Sequence, residues 1–72
     1  MKETHIDGHK VLYEENAWGG MDYLMMHLDA QESKVFFDQA RSKGHIKFED
    51  AVNKHYTLSH SNGVYTITRA AY

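Results

Sequence analysis

Seventy-two residues without a cysteine make one domain, residues 1–72, that can use neither disulfides nor thiolate-bound metal to hold its fold. A chain this short buries only about 60% of the surface it exposes when unfolded, so the core must suffice alone or be extended by a partner. Eight basic residues against ten acidic ones leave a net charge of −2. The scattered lysines argue against a nucleic-acid binder, and no run approaches the roughly 20 apolar residues of a membrane span.

Residues 4–9 read "THIDGH", where Asp7-Gly8 is a favoured two-residue hairpin turn. That turn pairs Ile6 with His9, His5 with Lys10 and Thr4 with Val11, and it sends His5 and His9 to opposite faces of the sheet. "HKVLYEE" continues it as a strand with Val11 and Tyr13 alternating. "ENAWGG" then places the only tryptophan, Trp18, in a polar, glycine-rich connection. There it is either a lid over the core or an exposed anchor, and the lid is favoured because a small core needs every large side chain.

Residues 22–28, "DYLMMHL", fit a strand with Leu24, Met26 and Leu28 inward. They also fit a helix with Met21, Leu24, Met25 and Leu28 in one stripe. The strand is preferred on two grounds. Gly19-Gly20 is a poor helix start, and an N-cap at Asp29 asks for non-helical backbone before the next helix.

From Ala30 to Lys43 the signals converge on a helix. Asp29 and Glu32 have capping-box spacing, Arg41 and Lys43 sit where cations favour the helix dipole, and Gly44 supplies the stop. Ala30, Ser33, Phe36, Phe37 and Ala40 share the arc expected to be buried, and Val35 falls nearly opposite, as an exposed apolar contact.

Two turns then organise the last third. Asn62-Gly63 predicts a type I′ hairpin pairing Ser61 with Val64 and His60 with Tyr65. Ala51, Val52 and Asn53 make a three-residue loop that sets Phe48 against Tyr56 and Ile46 against Leu58. Both registers put Ile46, Phe48, Tyr56, Leu58, Tyr65 and Ile67 on one face and polar residues on the other. The tail ends in Tyr72, either a frayed end or a contact.

The expected architecture is α+β. A mainly antiparallel sheet is built from N-terminal strands and a three-stranded meander over about 45–69, with a central helix over about 30–43 packed on one face. A capped helix followed by such a meander resembles small bacterial or phage proteins.

Six histidines are the compositional oddity, but no H-E-x-x-H or paired Cys/His spacing is present, so neither metal nor cofactor is assigned. The best histidine constellation, His45 and His55 with Glu49, fits a solvated sheet face. Neighbouring acids such as Glu14-Glu15 alternate faces, and no phosphate-cradling glycine loop exists. No catalytic residue and no small-molecule substrate follow, so the expectation is not an enzyme.

What remains is a protein-interaction module, an adaptor or inhibitor, whose partner is another protein or a second copy. Its candidate contacts are Trp18, Met21, Tyr23, Met25 and Val35, with an open strand edge as a further docking element. A histidine-based metal binder or small hydrolase is the alternative, and a nucleic-acid binder the third. The expected location is the cytoplasm, without membrane attachment.

Overall fold

Turn chemistry builds most of the sheet. In the computed structural model, which describes residues 1–70, Asp7 and Gly8 both take positive φ, and so do Asn62 and Gly63. That is the type I′ requirement. The first turn joins β1 (Lys2–Ile6) to β2 (His9–Tyr13) in the expected register, Ile6 against His9 and Thr4 against Val11. The second joins β4 (His55–Ser61) to β5 (Val64–Arg69), pairing Ser61 with Val64 and Leu58 with Ile67. Between β3 (His45–Glu49) and β4, Asn53 takes the left-handed conformation at φ 63° in the three-residue loop, and Phe48 faces Tyr56. Tyr72 lies outside the described residues.

The five strands run β1-β2-β5-β4-β3 across the sheet. All contacts are antiparallel except β2 with β5, which pair in parallel through Val11–Tyr65 and Tyr13–Ile67. A parallel neighbour needs a crossover. Here the crossover holds both helices and the rest of the meander. The fold is α+β, with helices against one face of a mostly antiparallel sheet.

α2 (Ala30–Lys43) carries a complete capping box: the Asp29 side chain accepts from the Glu32 N–H at 2.8 Å, and Glu32 reaches back to the Asp29 N–H. Ser33, Phe37 and Ala40 are buried along its inner face, with Phe36 half-buried against Phe48. Ala30, expected on that arc, is exposed at the first turn. The Ser33 hydroxyl donates to the Asp7 carboxylate, fastening the first hairpin turn to the helix. Residues as buried as Phe37, Leu58, Ile67 and Val11 each contribute about 1.5–3 kcal/mol by leaving water.

The segment before α2 differs from the preferred expectation. Residues 22–28 are not a strand. A short 3₁₀ turn (Glu15–Ala17) leads into α1 (Trp18–Asp22), which continues as a π turn (Tyr23–His27) closed by the Leu28 N–H donating to the Tyr23 carbonyl. The buried residues Ala17, Gly20, Met21 and Leu24 follow helical spacing.

Both grounds for the strand fail for physical reasons. A Cβ on Gly20 would lie 2.7 Å from the Tyr56 ring, and one on Gly19 would lie 2.7 Å from the Tyr56 hydroxyl. The glycines are where the helix backbone rests directly on a buried aromatic, and that approach offsets their helix cost of about 1 kcal/mol each. The Asp29 cap needs extended backbone only at Leu28 and Asp29, which have it, so two residues suffice between the helices. No helix among the described residues is long and apolar enough to cross a membrane.

Candidate docking surface

The helical reading of residues 18–27 redistributes the side chains that a strand would have alternated. Trp18, Asp22 and Met26 fall at steps of four along α1 and the π turn that continues it, on the side opposite buried Gly20 and Leu24. Trp18 is 56% exposed and Met26 is 70% exposed. The lid expectation for Trp18 and the inward expectation for Met26 are therefore both corrected. A lid would have to fold back over the core, but Gly20, Met21 and Leu24 already occupy the inner face of the helix.

The other sequence-chosen contacts divide. Met21, at 4% exposure, is a core residue beside Leu24 and cannot meet a partner. Met25 is exposed on the flank of the helix. Tyr23 is half-buried, with its ring between His27 at 5.9 Å and Phe48 at 6.4 Å, centroid to centroid. Val35 is exposed as expected, on the outer face of α2, opposite Phe37. Trp18 stands on α1, Tyr23 and Met25 on the π turn that continues it, and Val35 on α2.

Beside α1 lies a cleft of about 190 Å³, lined by Gly19, Asp22, Tyr23 and His27 from the helical segment and by Asp50, Ala51 and Val52 from the β3–β4 loop. Val52 is 68% exposed, so the loop wall of the cleft also presents an apolar side chain to solvent. The π turn shapes the helical wall. Its wider winding brings residues five apart into contact, and His27 Nε2 sits 3.3 Å from Asp22 Oδ2.

Asp50 forms the opposite wall and organises its own loop. Its Oδ1 accepts the N–H groups of Val52 (3.0 Å) and Lys54 (2.9 Å), and its Oδ2 accepts the Tyr56 hydroxyl (3.2 Å). Burial pushes the Asp50 carboxyl upward. The two backbone donors, the Tyr56 hydroxyl and the Lys54 charge outweigh that, and the net value lies below the ordinary 3.8. Tyr56 moves the other way: its burial, its bond to Asp50 and the Asp50 charge raise it above 10.0, against Arg69.

Sequence reading missed Asp22, His27, Asp50 and Val52 as members of one place. The Asp-x-x-x-Lys spacing of Asp50 and Lys54 around a three-residue loop was the available sign of an organising aspartate.

The histidines do not assemble. Among the described residues no group of three or more His, Cys, Asp or Glu side chains converges as a metal site would require. His9 instead packs its ring on Phe37 at 4.6 Å and on Tyr65 at 5.1 Å, and His60 packs on Tyr65 at 4.9 Å. His55 Nδ1 lies 3.6 Å from Glu49, across the β3–β4 ladder.

Both sheet edges are short strands with outward charges, Glu3 on β1 and Glu49 on β3 among them. Charged, short edges disfavour strand addition, which leaves the α1 surface as the stronger docking candidate. No protein-family model matches the chain, and comparison with characterised proteins and with solved structures likewise finds no match.

Proposed function

We propose that this chain is a non-enzymatic interaction module of the cytoplasm, an adaptor or inhibitor that docks on another protein through α1 and the β3–β4 loop. One observation carries the reading: Trp18 and Met26 are exposed on the helical segment that forms one wall of the cleft and Val52 on the loop that forms the other, while the inner faces of both helices and of the sheet are packed. Large apolar side chains scattered singly are ordinary on protein surfaces. Here two share one helix face and the third rises from the loop across the cleft, as an interface patch would.

Binding is favoured over catalysis by the chemistry of the same cleft. His27 and Asp22 form the one histidine–carboxylate pair in it, yet the His27 side chain is 54% exposed and lacks the desolvation that tunes a general base. No serine, threonine or lysine lines the cleft beside it to serve as nucleophile.

The test is affinity capture from host lysate with the wild-type chain and with a Trp18→Ser/Met26→Ser double variant, alongside sedimentation across concentration. The expected result is a partner retained by wild type and lost by the double variant. Concentration-dependent dimerisation abolished by the same changes would assign the surface to a second copy. Identical capture and identical sedimentation for both proteins would remove α1 as the docking surface.

A further inference from the structure

The walls of the cleft say something about what enters it. Its seven lining residues include two carboxylates, Asp22 and Asp50, and neither lysine nor arginine. Asp50 is held ionised by its donors, which occupy three of the roughly four acceptor positions of a carboxylate. The open position belongs to Oδ2, which faces the bare backbone of Gly19: a Cβ there would come within 3.4 Å of it. Asp22 is engaged at Oδ2 by His27. The nearest fixed cation of the loop, Lys54, meets Asp50 through its backbone N–H and its charge but is not among the lining residues. The apolar part of the wall is supplied by Tyr23, Ala51 and Val52, with Trp18 and Met26 on the adjoining helix face.

We infer that the cleft receives a lysine or arginine side chain of a protein partner, its stem along Tyr23 and Val52 and its charge at Asp22 and Asp50, while the partner's neighbouring apolar residues lie on Trp18 and Met26. The inference rests on the docking reading above and adds the chemistry of the occupant. Long basic side chains suit such a site because their methylene stems bury against apolar walls while the head meets carboxylates. A volume of about 190 Å³ suits one side chain rather than a whole peptide segment. Acidic partners are disfavoured by the same two carboxylates.

The experiment is a selection of displayed random linear peptides on the wild-type chain, counter-selected on Trp18→Ser. The selected peptides are then synthesised and titrated while the emission of Trp18, the sole tryptophan, is followed. Selected peptides should carry Lys or Arg beside Leu, Ile or Phe. Replacing that basic residue by citrulline or norleucine should weaken binding to unmodified protein about tenfold. Asp22→Asn should weaken the parent peptide by a similar factor, and Asp38→Asn, an acidic position on α2 outside the cleft, should leave it unchanged.

Trp18-dependent peptides without basic residues, or peptides indifferent to citrulline and norleucine, would overturn the cationic occupant while leaving the docking surface in place. Failure to obtain any peptide that distinguishes wild type from Trp18→Ser would remove both. The neutral peptide analogues keep the outcome decisive even if Asp22→Asn disturbs the fold, because they need no protein variant.

Discussion

The β3–β5 meander and the segment from Glu15 to Leu28 are neighbours in space but are specified in opposite ways. In the meander, each strand pairing follows from a turn a few residues away: Asn53 sets one register and Asn62-Gly63 the other. In the helical segment the one local sign of a helix is the stripe of Met21, Leu24, Met25 and Leu28, which a strand pattern rivals. Gly19 and Gly20 oppose it, and the backbone becomes helical because only a surface without Cβ atoms can lie on the Tyr56 ring. One region is written in turn chemistry, the other in a contact between residues 36 positions apart in sequence, Gly20 and Tyr56. The difference shows at the surface: the locally specified region has a polar outer face, and the contact-specified one turns Trp18 and Met26 to solvent.

The change expected to break that contrast most sharply is Gly20→Ala. By propensity alone, alanine should stabilise a helix by about 1 kcal/mol. A Cβ 2.7 Å from the Tyr56 ring cannot be accommodated by a buried side chain without displacement, so overpacking of about 1–3 kcal/mol should dominate. Urea unfolding decides the sign. A more stable Gly20→Ala protein would mean that α1 does not rest on Tyr56 and that propensity rules this region too. The matched change in the meander is Gly63→Ala, at φ 78° with nothing within 4 Å of the added Cβ. Its loss should be about 1–2 kcal/mol, entirely from left-handed backbone strain. The two glycines would then carry similar costs for unrelated reasons. A second substitution, Tyr56→Ala, should erase the penalty at Gly20 and leave that at Gly63 intact.

What could be read from residues alone follows the same division. The three turns, the capping box and the apolar face of the meander were legible because each rests on residues within a few positions of one another. The parallel pairing of β2 with β5 was not, and the helix was legible only as the less favoured alternative for residues 22–28, because both depend on contacts made only when the whole sheet exists. The docking surface inherited that error. Met21 was chosen as a contact and is core; Met26 was placed inward and is exposed. Val52 was legible as a loop residue, but neither it nor Asp50 as a wall of a cleft whose other wall was expected to be a strand.

The link between the two regions is the Tyr56–Asp50 hydrogen bond, and Tyr56→Phe should sharpen its role at a cost of about 0.5–1.5 kcal/mol near neutral pH. The pH dependence follows from signs. Asp50 is lowered in the fold, so its stabilisation is complete above the unfolded value of about 3.8 and is lost as pH falls through the folded value. Tyr56 is raised, so its contribution is complete below about 10.0 and is lost as pH rises through its folded value. In Tyr56→Phe the alkaline loss due to this residue should vanish and the acid loss should shrink, because Asp50 no longer has the hydroxyl donor. Unfolding midpoints from pH 3 to pH 11 would show both limbs. Unchanged limbs would mean that the bond does not couple the loop to the sheet.

The smallest effect on stability should accompany the largest effect on binding. Trp18→Ser removes a side chain already more than half in water, at a position where a Cβ is tolerated. Unfolding midpoints should therefore move by no more than about 0.5 kcal/mol, the range of ordinary surface changes. Trp18 precedes Gly19 and Gly20 on the helix, so a structural role for its ring would show as a loss comparable to that of Gly20→Ala. A loss of that size would make the indole part of the helix–sheet packing and weaken the docking assignment. A near-neutral Trp18→Ser that abolishes partner binding would separate the two faces of α1: the inner face, which the fold needs, and the outer one, which it leaves for a partner.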